Sequence, residues 1–182
     1  MNIQAAGRMT LVDSPTPWLD DAERPAWMSL IAMLMSVPPA IDAQLKRDSG
    51  LNFFEYSILS QLSFPPNRAL QMTQLAQLLG GTLSRLSHAA SRLAKQGLVR
   101  RRVITGETRC TELVLTDEGV AALEDAAPGH VREARRLVFD VLTREQVAQL
   151  REIARALTGT ASPDVAVALQ RAIAEADEAE NS

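Results

Sequence analysis

Cysteine is almost absent from this chain of 182 residues, and Cys110, standing alone, excludes an intrachain disulfide framework and any cysteine-rich zinc ribbon. Histidine is nearly as scarce. His88 and His130 cannot complete a histidine metal cluster, so neither a metal nor a cofactor is expected. A strong charge of one sign is missing too: Lys+Arg 19 against Asp+Glu 22 leave −3, which announces neither nucleic acid nor an anionic membrane, so any basic surface must be local. No apolar run reaches the ~18 residues that a membrane span needs, because Pro38, Pro39 and Asp42 interrupt the most apolar segment, around Trp27 to Ile41. Gln4, Arg8 and Asp13 stand where a secretion signal would carry its apolar core. The expected compartment is the reducing cytoplasm. A P-loop, a nucleophile elbow, a dinucleotide fingerprint and paired carboxylates in a glycine-rich setting are likewise missing, and an enzyme is not expected.

What is present, 46% apolar and 23% charged residues, fits an ordinary globular chain with a real core. Residues 1–19 lack an apolar period and are expected to be irregular. Trp27, Leu30, Ile31, Leu34, Met35, Ile41 and Leu45 recur at three and four residues, predicting a helix from about Asp20 to Arg47 that Pro38-Pro39 should kink or interrupt. A second helix is expected over Phe53–Leu62. A short one follows over Met72 to Leu79 and is stopped by Gly80-Gly81. Thr82 can cap a further helix that reaches Gln96 and ends at Gly97. The period then changes: Leu98–Ile104 and Arg109–Thr116 flank Thr105-Gly106-Glu107-Thr108 as a β-hairpin.

Helix, glycine turn, helix and hairpin is the order of a winged helix-turn-helix. The expected fold is therefore mainly α with a small β-hairpin wing, a DNA-binding lobe over about 52–118 and dimerisation helices over about 20–48 and 119–157. Asp117–Ala127 and Val131–Leu142 read as helices with a bend at Pro128-Gly129, and Thr143-Arg144-Glu145-Gln146 as a capping box. Ser162-Pro163 starts a last helix in an acidic extension over 158–182.

The segment Thr82–Gln96 carries the strongest functional signal. At about 100° per residue it sets Leu86, Ala89, Ala90, Leu93 and Ala94 on one arc and Ser84, Arg85, His88, Ser91, Arg92 and Lys95 on the other. A helix fits the major groove of B-DNA, where arginine forks onto guanine and serine or histidine meets base edges or phosphates. Thr82–Thr116 holds seven basic residues against Glu107 and Glu112, a local charge of +5 within a chain of net −3. Phosphate attraction is thereby concentrated at one docking surface.

Met72-Thr73-Gln74-Leu75-Ala76, Ser84-Arg85-Leu86-Ser87-His88, Arg92-Leu93-Ala94-Lys95-Gln96-Gly97-Leu98-Val99-Arg100-Arg101 and Leu113-Val114-Leu115-Thr116-Asp117-Glu118-Gly119 together resemble the MarR family of bacterial winged-helix regulators, over about Ala26–Leu157. The resemblance implies a homodimeric, sequence-specific repressor of transcription at a pseudo-palindromic site, its recognition helices about 34 Å apart. It also implies a wing tip at which Arg109 enters the minor groove braced by Glu107, where the family has aspartate. The residues expected at DNA are Thr73, Thr82, Ser84, Arg85, Ser87, His88, Arg92, Arg102, Glu107 and Arg109.

Leu137, Val138, Leu142, Val147, Leu150, Ile153 and Leu157 supply more apolar surface than one small motif needs, as a dimer would require. Release of DNA by a small aromatic or apolar effector is a further implication, with Trp18, Trp27, Met28, Ile31, Met35, Phe53, Tyr56 and His130 as candidate lining; the same residues also suit a core. Cys110, on the second wing strand, reads as structural rather than as a peroxide sensor. The competing reading is a winged-helix module that binds protein instead of DNA, favoured if the acidic segment Glu175–Glu180 covers Arg85 and Arg109.

Overall fold

A computed structural model describes residues 16–104 and 110–180. Two compact units divide the chain, 1–36 and 37–182, with the division just ahead of Pro38-Pro39.

The first helix, α1 (Glu23–Ser49), starts where Asp20 offers its carboxylate to the main-chain N–H groups of Ala22 and Glu23, both at 2.7 Å. These two bonds hold the Asp20 carboxyl below its ordinary pKa. The expected interruption at Pro38-Pro39 does not occur: the helix runs on through both prolines, which remove one main-chain donor each without ending it. Once continuous, α1 is long and apolar enough to cross a membrane by length and composition alone, the one such helix among the described residues. In the first unit Trp18, Trp27, Met28, Met33, Leu34 and Met35 are all exposed.

In the second unit α1 is followed by α2 (Phe53–Ser63), β1 (Ala69–Gln71), α3 (Met72–Leu78), α4 (Leu83–Lys95), β2 (Val99–Ile104) and β3 (Cys110–Leu115). Then come α5 (Asp117–Leu137), a 3-10 turn (Phe139–Val141), α6 (Arg144–Ala161) and α7 (Pro163–Glu180). The fold is mainly helical with a three-stranded antiparallel sheet in the order β1-β3-β2. The hairpin pairs Val99 with Leu115 and Ile104 with Cys110, as the change of period predicts. Strand β1 was not legible in the sequence: it is three residues long, and its pairing of Ala69 with Val114 is created by tertiary contact.

The capping chemistry follows the sequence closely. Asn52 and Glu55 form a reciprocal capping box on α2, and Thr143 and Gln146 form another on α6. Thr82 caps α4 through the Arg85 N–H at 3.2 Å. Helix α5 is one helix rather than two. It continues through Pro128-Gly129, where a Cβ on Gly129 would lie only 2.9 Å from the end of the Gln44 side chain, at Nε2.

Gly119 explains the Leu-Thr-x-x-Gly sequence at the start of α5. A Cβ there would fall 2.1 Å from the Leu98 carbonyl oxygen, so only glycine permits this approach of helix to wing. Thr116 ties the same junction: its hydroxyl donates to the Gly97 carbonyl at 2.7 Å and accepts from the Gly119 N–H at 3.0 Å.

The main core gathers Ile58, Leu59 and Leu62 of α2, Leu75 of α3, Leu86 and Leu93 of α4, and Leu113 of β3, all fully buried. Ala94, expected on the packed arc of α4, is exposed at the edge of that arc. A smaller cluster joins Ile41 and Leu45 of α1 to Tyr56 and Ala126.

Candidate nucleic-acid interface

Helices α3 and α4, joined by the Gly80-Gly81 turn, present one hydrophilic surface. Gly80 has φ +57°, a left-handed conformation that a side chain would strain. Leu86, Ala89, Ala90 and Leu93 anchor α4 in the core, and this leaves Ser84, Arg85, His88, Ser91, Arg92 and Lys95 exposed on its outer side. Thr73 near the start of α3 and Thr82 at the cap of α4 are exposed beside them, and Ser87 is half-buried.

Several of these side chains are held rather than loose. Arg85 stacks over the Phe54 ring, 4.1 Å from its centroid, which limits the directions in which its guanidinium can reach. Arg92 Nε donates to Glu55 Oε1 at 2.7 Å, and the Glu55 side chain is only 5% exposed while that of Arg92 is 54% exposed. Arg92 is thus part anchor and part surface cation. Arg101 on β2 donates to the Ser87 carbonyl at 2.9 Å and to the hydroxyls of Ser87 at 3.0 Å and Ser91 at 3.1 Å, linking wing to helix. Arg102 is exposed and forks onto Glu112 at 2.6 and 3.1 Å, so its charge is partly spent within the hairpin.

Glu107 and Arg109, expected at the wing tip, lie outside the described residues, as do the remaining residues of the tip. Sequence reasoning missed Phe54, Glu55 and Arg101 as supports of this surface. For Glu55 a signal existed: Asn52-Phe53-Phe54-Glu55 is a capping-box pattern, and a carboxylate fixed by that box is placed to meet a cation from the neighbouring helix.

The candidate effector residues separate between the two units. Trp18, Trp27, Met28, Ile31 and Met35 belong to the first, where all but the half-buried Ile31 are exposed. Phe53, Tyr56 and His130 come together in the second, with the His130 ring 4.4 Å from Tyr56 and 6.1 Å from Phe53 between centroids. Burial pushes the His130 pKa down and that of Tyr56 up. His130 Nδ1 and Gln44 Oε1 are buried without a hydrogen-bond partner. Cys110 is half-buried on β3.

A three-stranded wing packed against a glycine-turned helix pair, with a cationic outer face on the second helix, defines a winged helix-turn-helix transcriptional regulator. No family model matches the chain. Among solved structures it is similar to Sco3205, a MarR family transcriptional regulator from Streptomyces coelicolor in complex with DNA: 42% identity, TM-score 0.76, covering 79% of this chain and 93% of that one. AbsC, a MarR family regulator from the same organism, is 32% identical with TM-score 0.72 over 79% of this chain and 99% of that one. The HTH-type transcriptional repressor YetL of Bacillus subtilis is 35% identical over 81 residues, 44% of this chain and 48% of that protein, so this match spans about half of the curated relative. The chain belongs to the MarR family of transcriptional regulators, a class without catalytic chemistry.

Proposed function

We propose that this protein is a homodimeric repressor that binds a pseudo-palindromic site in double-stranded DNA. The observation that carries the reading is the outer face of α4, where Ser84, Arg85 and His88 are exposed together beside the capped end at Thr82. On this reading α4 enters the major groove with Ser84, Arg85, Ser87 and His88 toward base edges, and Thr73, Thr82 and Arg92 toward phosphates. Arg102 adds positive potential at the wing, and Arg109, braced by Glu107, takes the minor groove. The relatives support this, since Sco3205 was solved with DNA and YetL is described as a repressor.

Dimerisation is supported by unspent apolar surface. Helix α6 buries none of its residues, Ile153 is 57% exposed and Leu157 48% exposed. In the first unit the apolar residues of α1 are equally uncovered, and burial against a second copy accounts for a composition that would otherwise suit a lipid environment. Helices within 20–48 and 119–157 form this interface, and the cytoplasm is the compartment in which such a regulator works.

The experiment is selection of the protein against a random duplex pool at near-physiological salt, followed by titration of the enriched sequence. A two-fold consensus with half-sites about one helical turn apart is expected. Arg85→Ala should cost about 1–3 kcal/mol at that site and relax specificity at one base position. Equal losses on specific and random DNA would remove Arg85 from base reading. Absence of any enrichment would favour a protein-binding module, although Arg85 is exposed.

A small aromatic or apolar effector is a second element of the proposal. It rests on the unpartnered His130 Nδ1, whose ring lies against Phe53 and Tyr56, and on the unpartnered Gln44 Oε1, an acceptor that a ligand hydroxyl would satisfy by donating to it.

A further inference from the structure

The last helix, α7, packs against α3 of the helix-turn-helix and against α6. Along the cleft between α7 and the lobe it presents Asp164, Val167, Ala168 and Arg171, at the i, i+3, i+4 and i+7 spacing of one helical face, with Ala168 half-buried and the other three exposed. Small Ala168 and the wide spacing leave an open cleft of about 410 Å³, within the range that small-molecule sites occupy.

Opposite α7 the cleft is walled by Phe64 and Pro65 after α2, Leu70 of β1, and Leu78 of α3, with the amides of Gln61, Gln74 and Gln77 interspersed. None of the side chains of Gln61, Gln74, Gln77, Asp164 and Arg171 makes a hydrogen bond or ion pair with another described residue. Apolar walls with a few convergent, uncommitted polar groups are the composition of a ligand site rather than of a helix seam.

The charges say which way a ligand lies. Arg171 stands seven residues beyond Asp164 on the same face, roughly 10 Å along the axis at 1.5 Å per residue. An anionic head is drawn to Arg171 and repelled by Asp164, which accepts a donor at the other end, while the body between them covers Phe64, Leu70, Leu78 and Val167. We propose that the cleft between α7 and the helix-turn-helix lobe binds an amphipathic organic carboxylate, with its head on Arg171 and a hydroxyl toward Asp164. The site is separate from the one formed by Phe53, Tyr56 and His130, and it stands whether or not that one is occupied.

The test uses the full chain and 8-hydroxyoctanoate as probe, followed by ligand-detected saturation-transfer NMR, with octylamine as the charge-reversed control. Expected are transfer from the protein to the probe methylenes, little to octylamine, and at least a tenfold weaker affinity in Arg171→Gln and in Ala168→Phe, which fills the cleft. Circular dichroism and thermal midpoints of both variants should match the parent, since Arg171 is exposed and Ala168 borders the open cleft. No transfer to the parent protein overturns the proposal. So does transfer that persists in both cleft variants.

Discussion

Replacing Arg92 by alanine separates its two roles by magnitude. The Glu55 carboxylate, 5% exposed, has two donors: Arg92 Nε at 2.7 Å and the Asn52 N–H at 3.0 Å. Removing the guanidinium leaves a buried charge with a single neutral donor. Breaking a fully buried pair costs about 3–5 kcal/mol and an exposed pair about 0–1 kcal/mol. Because Arg92 itself is 54% exposed, water can partly replace it, and the expected loss lies between these limits at about 1–3 kcal/mol. Urea unfolding at pH 7 and fixed protein concentration reads this directly, since dimerisation makes stability concentration-dependent. The diagnostic arm is Arg92→Ala combined with Glu55→Gln. A neutral amide does not require a counter-charge, so the double variant should recover about 1 kcal/mol of what Arg92→Ala alone loses. A loss below about 0.5 kcal/mol for Arg92→Ala, or no recovery in the double variant, would refute the anchoring role and return Arg92 to the DNA surface alone.

Three other outcomes are expected. Gly119→Ala should destabilise the fold by about 1–3 kcal/mol, because the new Cβ would meet the Leu98 carbonyl, which is itself held by the Thr116 N–H at 3.2 Å; an unchanged thermal midpoint would show that the wing junction yields freely. Burial holds His130 below its ordinary pKa of about 6.5, so the unfolded chain binds the proton first and stability should fall as pH drops below about 6.5, by at most about 1.4 kcal/mol per unit. Asp20, Asp42, Asp48 and Glu133 have lowered pKa values and withdraw their stabilisation mainly below about pH 5, so His130→Leu should flatten the slope between pH 6.5 and 5; equal slopes in both proteins would exclude His130 as its source. Finally, Ile153→Asp with Leu157→Asp should convert a dimer to a monomer in sedimentation and weaken operator binding, whereas a dimer that survives both charges does not use this face of α6.

Residue order alone carried the local architecture. The Thr82 and Thr143 caps, the glycine turn at Gly80-Gly81, and the change of period at Leu98 are encoded within a few residues, so the helices and the hairpin were legible where they form. The amphipathic arc of α4 likewise exposes Ser84, Arg85, His88 and Arg92, which sequence reading assigned to DNA, and leaves Ser87 half-buried. Local signals failed at two kinds of place. Pro38-Pro39 and Pro128-Gly129 are strong breakers in isolation, yet α1 and α5 run through them. Strand β1 exists only because β3 offers it an edge.

Sequence determined which side chains α4 presents; tertiary structure decided how they are held. That Arg85 lies over Phe54, that Arg92 is tied to a buried Glu55, and that Arg101 reaches across to Ser87 and Ser91 depends on separations of 10 to 37 residues for the bonded pairs, which no periodicity reports. The cleft beneath α7 belongs to the same class. Its polar residues come from α2, α3 and α7, and only the packing of those helices brings the glutamine amides to face Asp164 and Arg171 across unfilled space.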